Sequence, residues 1–122
     1  MASAGNWFET EHKAMDLRTK TLTNESIYTA KVGGPTYNWV VDRIINVVTT
    51  ASGNNLVITV PNGYYQGQKM TIALKTLGHD ETVTITTTTG SDYTLDAAGE
   101  YVILEWADAT AGWVYLNKDS SE

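Results

Sequence analysis

The stretch that decides the fold is residues 68–88, QKMTIALKTLGHDETVTITTT. Apolar and polar side chains alternate through residues 70–75 and again through residues 82–88. A period of two is typical of a β-strand that buries one face and exposes the other to solvent. Between the two runs, Gly78-His79-Asp80 is a cluster of turn-forming residues. The stretch therefore predicts two amphipathic strands joined by a turn. Their predicted inward residues are Met70, Ile72, Leu74, Val83 and Ile85.

The same pattern of short strands and turns continues outward in both directions. Segments rich in Val and Ile favour strands, and clusters of Gly, Asn, Asp, Pro and Ser separate them. The predicted strands cover residues 38–49, 56–60, 68–75, 82–88, 93–95, 100–106 and 113–116. Short strands at intervals of about ten residues predict a mainly β fold, a small antiparallel β-sandwich or barrel of the jelly-roll type. The sequence shows neither an exact internal repeat nor the alternation of strands with helices that a parallel nucleotide-binding sheet requires.

Residues 1–35 differ in composition from the rest of the chain. Their apolar residues are isolated among polar ones, and neither a helical period nor clean alternation runs through the segment. Such a segment buries too little apolar surface to fold alone. We predict an extended N-terminal arm over 1–35, with a short helix within 9–17, and a β-domain over 36–122. The predicted partner-binding residues of the arm are Trp7, Phe8, Met15, Leu17, Leu22, Ile27 and Tyr28.

The net charge limits the class of partner. Fourteen acidic and eight basic residues give a formal charge of −6, which argues against binding to nucleic-acid phosphate or to an anionic membrane. The chain has no cysteine, which excludes disulfides, thiolate catalysis and cysteine-ligated metals. The N-terminus lacks the features of a signal peptide, and no apolar run approaches the ~20 residues that span a bilayer. We therefore expect a soluble protein assembled in a reducing cytoplasm.

Residues that could support catalysis or bind a metal are few. His12 and Asp16 would share one face of a helix, and Asp80 could hold calcium with Asp92 or Asp96, but both sets lack the number and spacing of ligands that known sites have. We interpret these residues as parts of a solvated arm and of turns. The chain also lacks the Gly-x-Ser-x-Gly turn of hydrolases and the glycine-rich loops that bind phosphate. The expectation is a protein that is not an enzyme, with no cofactor, metal or small-molecule substrate.

The aromatic residues carry more information about binding. Trp106 and Trp113 flank the last predicted hairpin and are expected to pack across it in the core. Tyr64 and Tyr65 follow a turn at Pro61-Asn62-Gly63, so we predict that both are exposed. Exposed aromatic residues can stack on sugars or anchor a protein interface, where Trp and Tyr are enriched. Tyr64 and Tyr65, with Trp113 as a further member, are therefore the candidates for a carbohydrate platform.

Three runs resemble strands of small structural proteins in tailed-bacteriophage heads. Residues 65–74, YQGQKMTIAL, are similar to a Gly-Gln-x-x-x-Ile-x-Leu strand, and residues 98–106, AGEYVILEW, to a Gly-Asp-x-x-x-Leu-x-Trp strand with Glu100 in place of Asp. Residues 111–116, AGWVYL, are similar to a closing strand. These runs cover less than half of the chain, and such patterns also occur in phage tail and fibre modules. The resemblance is to the head decoration, or cement, protein family.

This resemblance implies a function and a location. It implies a homotrimer that binds the major capsid protein on the outer surface of the capsid, and thus a virion protein that stabilises the head. An arm that finds its hydrophobic contacts on another molecule agrees with such a role. The alternative function is a carbohydrate-binding or host-attachment module of a phage fibre or tail, which would present exposed aromatic residues. A small hydrolase is a third alternative and would need a deep pocket with converging polar groups.

Overall fold

The structure is a computed structural model and describes residues 16–34, 39–48, 55–76 and 82–119. The described residues form nine strands and no helix. The predicted mainly β fold is confirmed, and the seven predicted strands correspond to the last seven observed. In chain order the strands are β1 (Asp16–Leu22), β2 (Ile27–Thr29), β3 (Val40–Val47), β4 (Leu56–Val60), β5 (Lys69–Leu74), β6 (Val83–Thr87), β7 (Tyr93–Leu95), β8 (Tyr101–Asp108) and β9 (Gly112–Asp119).

The strands form two mixed sheets. The five-stranded sheet has the order β1-β3-β5-β8-β9, and the four-stranded sheet has the order β2-β4-β6-β7. From β1 to β6 the chain changes sheet after every strand, so the neighbours within each sheet are parallel. Ile44 on β3 pairs with Thr71 on β5, and Leu56 on β4 pairs with Val83 on β6, 27 residues later in both cases. The chain therefore stacks successive coils, as a solenoid does.

The predicted antiparallel topology is wrong for β1–β6. Parallel neighbours need a crossover connection, and here the crossover between two strands of one sheet is a strand of the other sheet. The remaining pairs, β5 with β8, β6 with β7 and β8 with β9, are antiparallel as expected. Alternation of apolar and polar residues arises in either kind of pairing when one face of the sheet is solvated, so the pattern does not distinguish the two.

Inward side chains from both sheets form one hydrophobic core. Alternate residues of β4, β5, β6 and β8 are buried, and most of the residues between them are partly exposed. The five inward residues predicted for the deciding stretch are all fully buried. Each large apolar side chain buried in this way stabilises the fold by roughly 1.5–3 kcal/mol. Further members of the core are Leu22, Ile45, Val47, Leu56, Ile58, Leu95, Val102 and Leu104.

Residues 16–34 belong to this fold and do not form a separate arm. Within this segment β1 pairs with β3 and β2 pairs with β4. Leu22 and Ala30 are fully buried in the common core. The predicted domain boundary at residue 35 is therefore wrong for this part of the chain, because the segment supplies the first strand of each sheet.

Other predicted landmarks of the N-terminal segment also differ. The short helix predicted within 9–17 is contradicted at Asp16 and Leu17, which begin β1. Residues 1–15 lie outside the described residues. Gly33 and Gly34, at the end of this segment, are buried within the fold, and both have positive φ, of 91° and 85°. Residues with a Cβ rarely adopt this conformation.

Candidate protein-binding surface

β1 and β2 leave the edges of both sheets open at the same end of the coil stack. Each is the first strand in the order of its sheet, and within the described ranges no strand pairs with its outer side. Along an edge strand, alternate backbone N–H and C=O groups point away from the sheet and can pair with a strand of another chain. These two strands, which we call the open edge, are a candidate docking site for an extended protein segment.

Two apolar side chains border the open edge. Leu17 on β1 is 54% exposed, and Ile27 on β2 is 69% exposed. Leu17 lies on the outer side of the five-stranded sheet and Ile27 on the outer side of the four-stranded sheet, so they flank the open edge from opposite sides. A single exposed apolar residue is common on a protein surface, but both of these adjoin unpaired backbone. A partner that covered the open edge would gain about 25 cal/mol for each Å² of apolar surface it removed from water.

A buried carboxylate holds the open edge in place. Asp42 on β3 is fully buried, and its Oδ1 accepts a hydrogen bond from Arg18 Nε at 2.5 Å. Its Oδ2 accepts hydrogen bonds from Tyr28 Oη at 2.6 Å and from the Lys31 backbone N–H at 2.9 Å. Arg18 Nη2 also donates to Tyr28 Oη at 2.9 Å. Because Arg18 and Asp42 belong to the five-stranded sheet and Tyr28 to the four-stranded sheet, these contacts tie the sheets together.

The groups around Asp42 stabilise one another electrostatically. The hydrogen bond with Asp42 raises the pKa of the Arg18 guanidinium. Burial, together with the hydrogen bond to Asp42, raises the pKa of the Tyr28 hydroxyl, so this group stays a neutral donor. Lys20 Nζ lies 5.5 Å from the centroid of the Tyr28 ring, within the range of a cation–π contact. Paired polar groups thus close this end of the apolar core, as is typical of the terminal repeat of a solenoid.

Two residues predicted to bind a partner are engaged within the chain. Leu22 is fully buried in the core, so its predicted partner-binding role is wrong, because a partner could reach it only if β1 unfolded. Tyr28 is partly buried against the core, and its hydroxyl is bonded to Arg18 and Asp42. Its role is therefore corrected from binding a partner to positioning the open edge.

The remaining predicted arm residues stay candidates. Leu17 and Ile27 are accessible, as partner binding requires, and their binding role stays a prediction. Trp7, Phe8 and Met15 lie outside the described residues, and their binding role also stays a prediction.

Three residues that shape binding surfaces were not predicted from the sequence. Two are Arg18 and Asp42 at the open edge. The third is Gln68, which holds the loop that carries Tyr64 and Tyr65. A signal was available for Asp42, since it is the one acidic residue within the Val- and Ile-rich run 38–49. An acid in a strand that is mostly Val and Ile indicates a buried and partnered charge. Arg18 lies two residues before Lys20 and four before Leu22. This spacing of two predicts that all three lie on one side of a strand. Gln68 stands before β5 without a comparable signal.

A second candidate surface is the aromatic cluster of Trp39, Tyr64 and Tyr65. Tyr64 and Tyr65 are 48% and 45% exposed, which confirms the predicted exposure. The rings of Trp39 and Tyr64 meet edge to face, with centroids 4.8 Å apart and an interplanar angle of 87°. Trp39 also has a positive φ of 62°, which is uncommon for a residue with a Cβ. Backbone strain of this kind is frequent at binding sites.

A buried glutamine fixes the loop that carries the two tyrosines. Gln68 Oε1 accepts a hydrogen bond from the Tyr64 backbone N–H at 2.7 Å, and Gln68 Nε2 donates to the Val32 carbonyl at 3.1 Å. Close packing restricts the loop further, since a Cβ placed on Gly63 would lie 2.4 Å from Cγ of Trp106. The loop is therefore held in one conformation by core residues.

Trp106 and Trp113 pack across the last hairpin, as predicted. They are cross-strand partners on β8 and β9, both are buried, and their ring centroids are 5.6 Å apart at an interplanar angle of 60°. Trp113 Nε1 donates a hydrogen bond to the Pro61 carbonyl at 2.8 Å. The prediction that Trp113 joins an exposed carbohydrate platform is therefore wrong, because its ring belongs to the core.

Possible metal ligands are not brought together in the described part of the chain. There, no cluster of three or more His, Asp, Glu or Cys side chains could hold a metal ion. His12, His79 and Asp80 lie outside the described residues. No helix long and apolar enough to cross a membrane occurs in the described ranges.

No protein-family model and no curated protein matches this chain. The open edge and the aromatic cluster are two surfaces that the described residues offer to a partner.

Proposed function

We propose that this protein is a capsid decoration, or cement, protein of a tailed bacteriophage, which binds the outer surface of the major capsid protein shell and stabilises the head. The observation that carries the proposal is the open edge, where edge strands of both sheets adjoin exposed Leu17 and Ile27. An extended segment of a capsid subunit can add a strand there. Backbone hydrogen bonds would supply affinity, and the two apolar side chains would supply specificity.

Preorganisation of the open edge supports this proposal. Docking on a mobile segment costs the free energy of ordering that segment. Here β1 is already paired with β3 along its whole length, and Asp42 links β1, β2 and β3 through Arg18 and Tyr28. The free energy gained by adding a strand is therefore not spent on ordering the edge.

The position of the family resemblance in the fold gives further support. The three runs that resemble phage head proteins contain β5 and most of β8 and β9, which are consecutive strands of the five-stranded sheet. Runs that are separated in the sequence thus form one continuous part of the molecule. Agreement between local sequence and three-dimensional arrangement is expected when a resemblance reflects a shared unit of structure.

Association of several copies would strengthen a modest contact with the capsid. The proposal includes a homotrimer, in which the first bound copy holds the others near their sites at high effective concentration. The net charge of −6 favours solubility of the free protein before assembly. The protein would be made in the cytoplasm of the bacterial host and would act on the virion surface.

Binding to heads that lack their native copies of this chain tests the proposal. Leu17→Lys and Ile27→Lys should each weaken binding at least about tenfold, which corresponds to about 1.4 kcal/mol. Thr94→Lys is the matched control, because Thr94 is a half-exposed strand residue of β7 at the opposite edge of the four-stranded sheet. It should bind as the unmodified protein does. Imaging of the particle should show many copies on the outside of the head.

Two results would contradict the proposal. One is unchanged head binding by both open-edge variants. The other is a location at low copy number on the tail or at a single vertex of the particle.

A carbohydrate-binding or host-attachment module of a phage fibre or tail is the second candidate function, and the aromatic cluster favours it. Tyr64 and Tyr65 are exposed on a loop fixed by Gln68, and sugars stack on such rings. A glycan array is the direct test. A signal that Tyr64→Ala and Tyr65→Ala abolish would favour this function over the first, provided that Leu116→Ala, at an exposed residue of β9, retains it. An array without signal would remove it.

A further inference from the structure

The loop between β4 and β5 contains the one Asn-Gly pair of the sequence. Gly63 follows Asn62, whereas every other asparagine is followed by a residue with a side chain. Asn62 is exposed. Among the described residues, neither the Asn62 side-chain amide nor the Gly63 backbone N–H has a hydrogen-bond partner. Both groups are therefore available to react with each other and with water.

We propose that Asn62 is a site of spontaneous deamidation, which converts it to aspartate and isoaspartate and needs no reactant other than water. The Gly63 backbone nitrogen gives up its proton and attacks Cγ of Asn62. A bond forms between this nitrogen and Cγ, the bond between Cγ and Nδ2 breaks, and Nδ2 leaves with the proton as ammonia. The product is a five-membered succinimide ring. This modification goes beyond the proposed function and does not depend on it.

Water opens the succinimide in two ways. Attack on Cγ restores the original main chain and leaves aspartate. Attack on the main-chain carbonyl carbon of residue 62 turns that carbon into a free carboxyl group, so the main chain then runs through Cβ and Cγ to Gly63. This second product is isoaspartate. A carboxyl group is ionised at neutral pH, so either product adds one negative charge to the loop.

The packing of the loop explains why a reactive pair stands at this position. Glycine favours ring closure, because no Cβ shields its nitrogen and its backbone reaches the required conformation easily. The fold also requires a glycine here, since a Cβ on Gly63 would overlap the side chain of Trp106. A bulkier residue would make Asn62 less reactive, but it would not fit against Trp106.

Hydrogen bonds hold the main chain on both sides of the reactive pair. The Pro61 carbonyl accepts a hydrogen bond from Trp113 Nε1 at 2.8 Å, and the Tyr64 N–H donates one to Gln68 Oε1 at 2.7 Å. Isoaspartate lengthens the main chain between these two points by one carbon atom, about 1.5 Å. The loop therefore has to shift, and at least one of the two hydrogen bonds should be lost.

The same shift would alter the aromatic cluster. Tyr64 and Tyr65 follow the reactive pair directly and are both exposed. The buried Gln68 fixes their loop through the Tyr64 N–H, so loss of this hydrogen bond would release both rings. Aged molecules would then present a more mobile and more acidic aromatic surface than new ones.

Incubation of the full chain in mildly alkaline buffer, followed by peptide mapping with mass spectrometry, tests the inference. Asn62 should convert at least about tenfold faster than any other asparagine, a difference of about 1.4 kcal/mol in activation free energy. Asn62→Gln is the matched control, because its longer side chain must close a six-membered ring and should stay unconverted. An unconverted Asn62, or equal conversion of other asparagines, would overturn the inference.

A second comparison separates the effect of the longer main chain from that of the added charge. Asn62→Asp, freshly purified, carries the charge on a main chain of normal length and should unfold close to the unmodified protein. The isoaspartate form, isolated from aged protein by chromatography, should unfold at least about 3 °C lower than Asn62→Asp. Equal unfolding temperatures of these two forms would overturn the predicted loosening of the loop.

Discussion

Removal of the Asp42 carboxylate should destabilise the protein by about 3 kcal/mol. The Asp42→Ala change leaves the Tyr28 hydroxyl and the Lys31 N–H without their acceptor, and each unsatisfied buried group costs about 1–3 kcal/mol. Arg18 adds less, because 35% of its side chain is in solvent and it can be rehydrated. Two such costs from the lower half of this range, together with a smaller cost for Arg18, add up to the expected loss of about 3 kcal/mol.

Urea-induced unfolding followed by tryptophan fluorescence measures this loss. Asp42→Asn keeps the shape and one acceptor oxygen, so it should cost less, about 1–2 kcal/mol. Asp92→Ala removes an exposed acid and should stay within about 0.5 kcal/mol of the unmodified protein. Hydrogen exchange should show the additional opening in β1 and β2 and not in β5 and β8. An Asp42→Ala protein as stable as the Asp92→Ala control would refute the conclusion that this carboxylate holds the open edge.

Three further predictions concern the core and the pH dependence of stability. Trp106→Ala should lower the free energy of unfolding in urea by about 3–5 kcal/mol, because its buried ring packs on Trp113; a loss below about 1 kcal/mol would contradict this packing. Gly63→Ala should lower it by about 1–3 kcal/mol, because the new Cβ would lie 2.4 Å from Cγ of Trp106, and thermal unfolding would detect the change. The pKa of Tyr28 is raised above its usual 10.0 in the folded state, so the stability that its neutral hydroxyl contributes is fully present below about pH 10. That stability is lost as the pH rises through the folded pKa. Between about pH 8 and about pH 11, the urea midpoint should therefore fall further for the unmodified protein than for Tyr28→Phe. An equal fall would contradict the raised pKa.

The seven predicted strands were found because each has one side in an apolar core. In β5, Met70, Ile72 and Leu74 are buried, and Thr71 and Ala73 between them are half-exposed, as a period of two requires. The same period says nothing about which strand becomes the neighbour. A hairpin and a passage to the opposite sheet can both begin with a turn cluster, so the parallel pairing of β3–β6 is decided by the packing of the whole stack.

β1 and β2 were missed for a different physical reason. The inward side of β1 carries Arg18 and Lys20 before Leu22, so a period of two is present but most of its inward residues are charged. The fold tolerates Arg18 there because it pairs with Asp42, 24 residues away. No local pattern shows a partner at that distance. Leu22 was predicted to contact an external partner for the same reason. Burial of an isolated apolar residue can be predicted only when its strand is known to pair within a sheet.

The candidate surfaces were predictable to different degrees. Exposure of Tyr64 and Tyr65 followed from their place after a turn, and turns lie at the surface. Burial of Trp113 depended on its cross-strand partner Trp106 and on the Pro61 carbonyl. The open edge could not be predicted, because it depends on the order of the strands in each sheet, which the sequence does not specify.

The open edge lies on one side of the molecule, where the first strand of each sheet has no strand paired to its outer side within the described ranges. In the proposed homotrimer, each copy would present its own open edge. Identical edges at fixed spacing suit a repeating surface such as a capsid, because each bound edge raises the effective concentration of the next. The buried Asp42 supports docking indirectly, since it links β1 and β2 to β3 and so keeps both strands of the open edge in place.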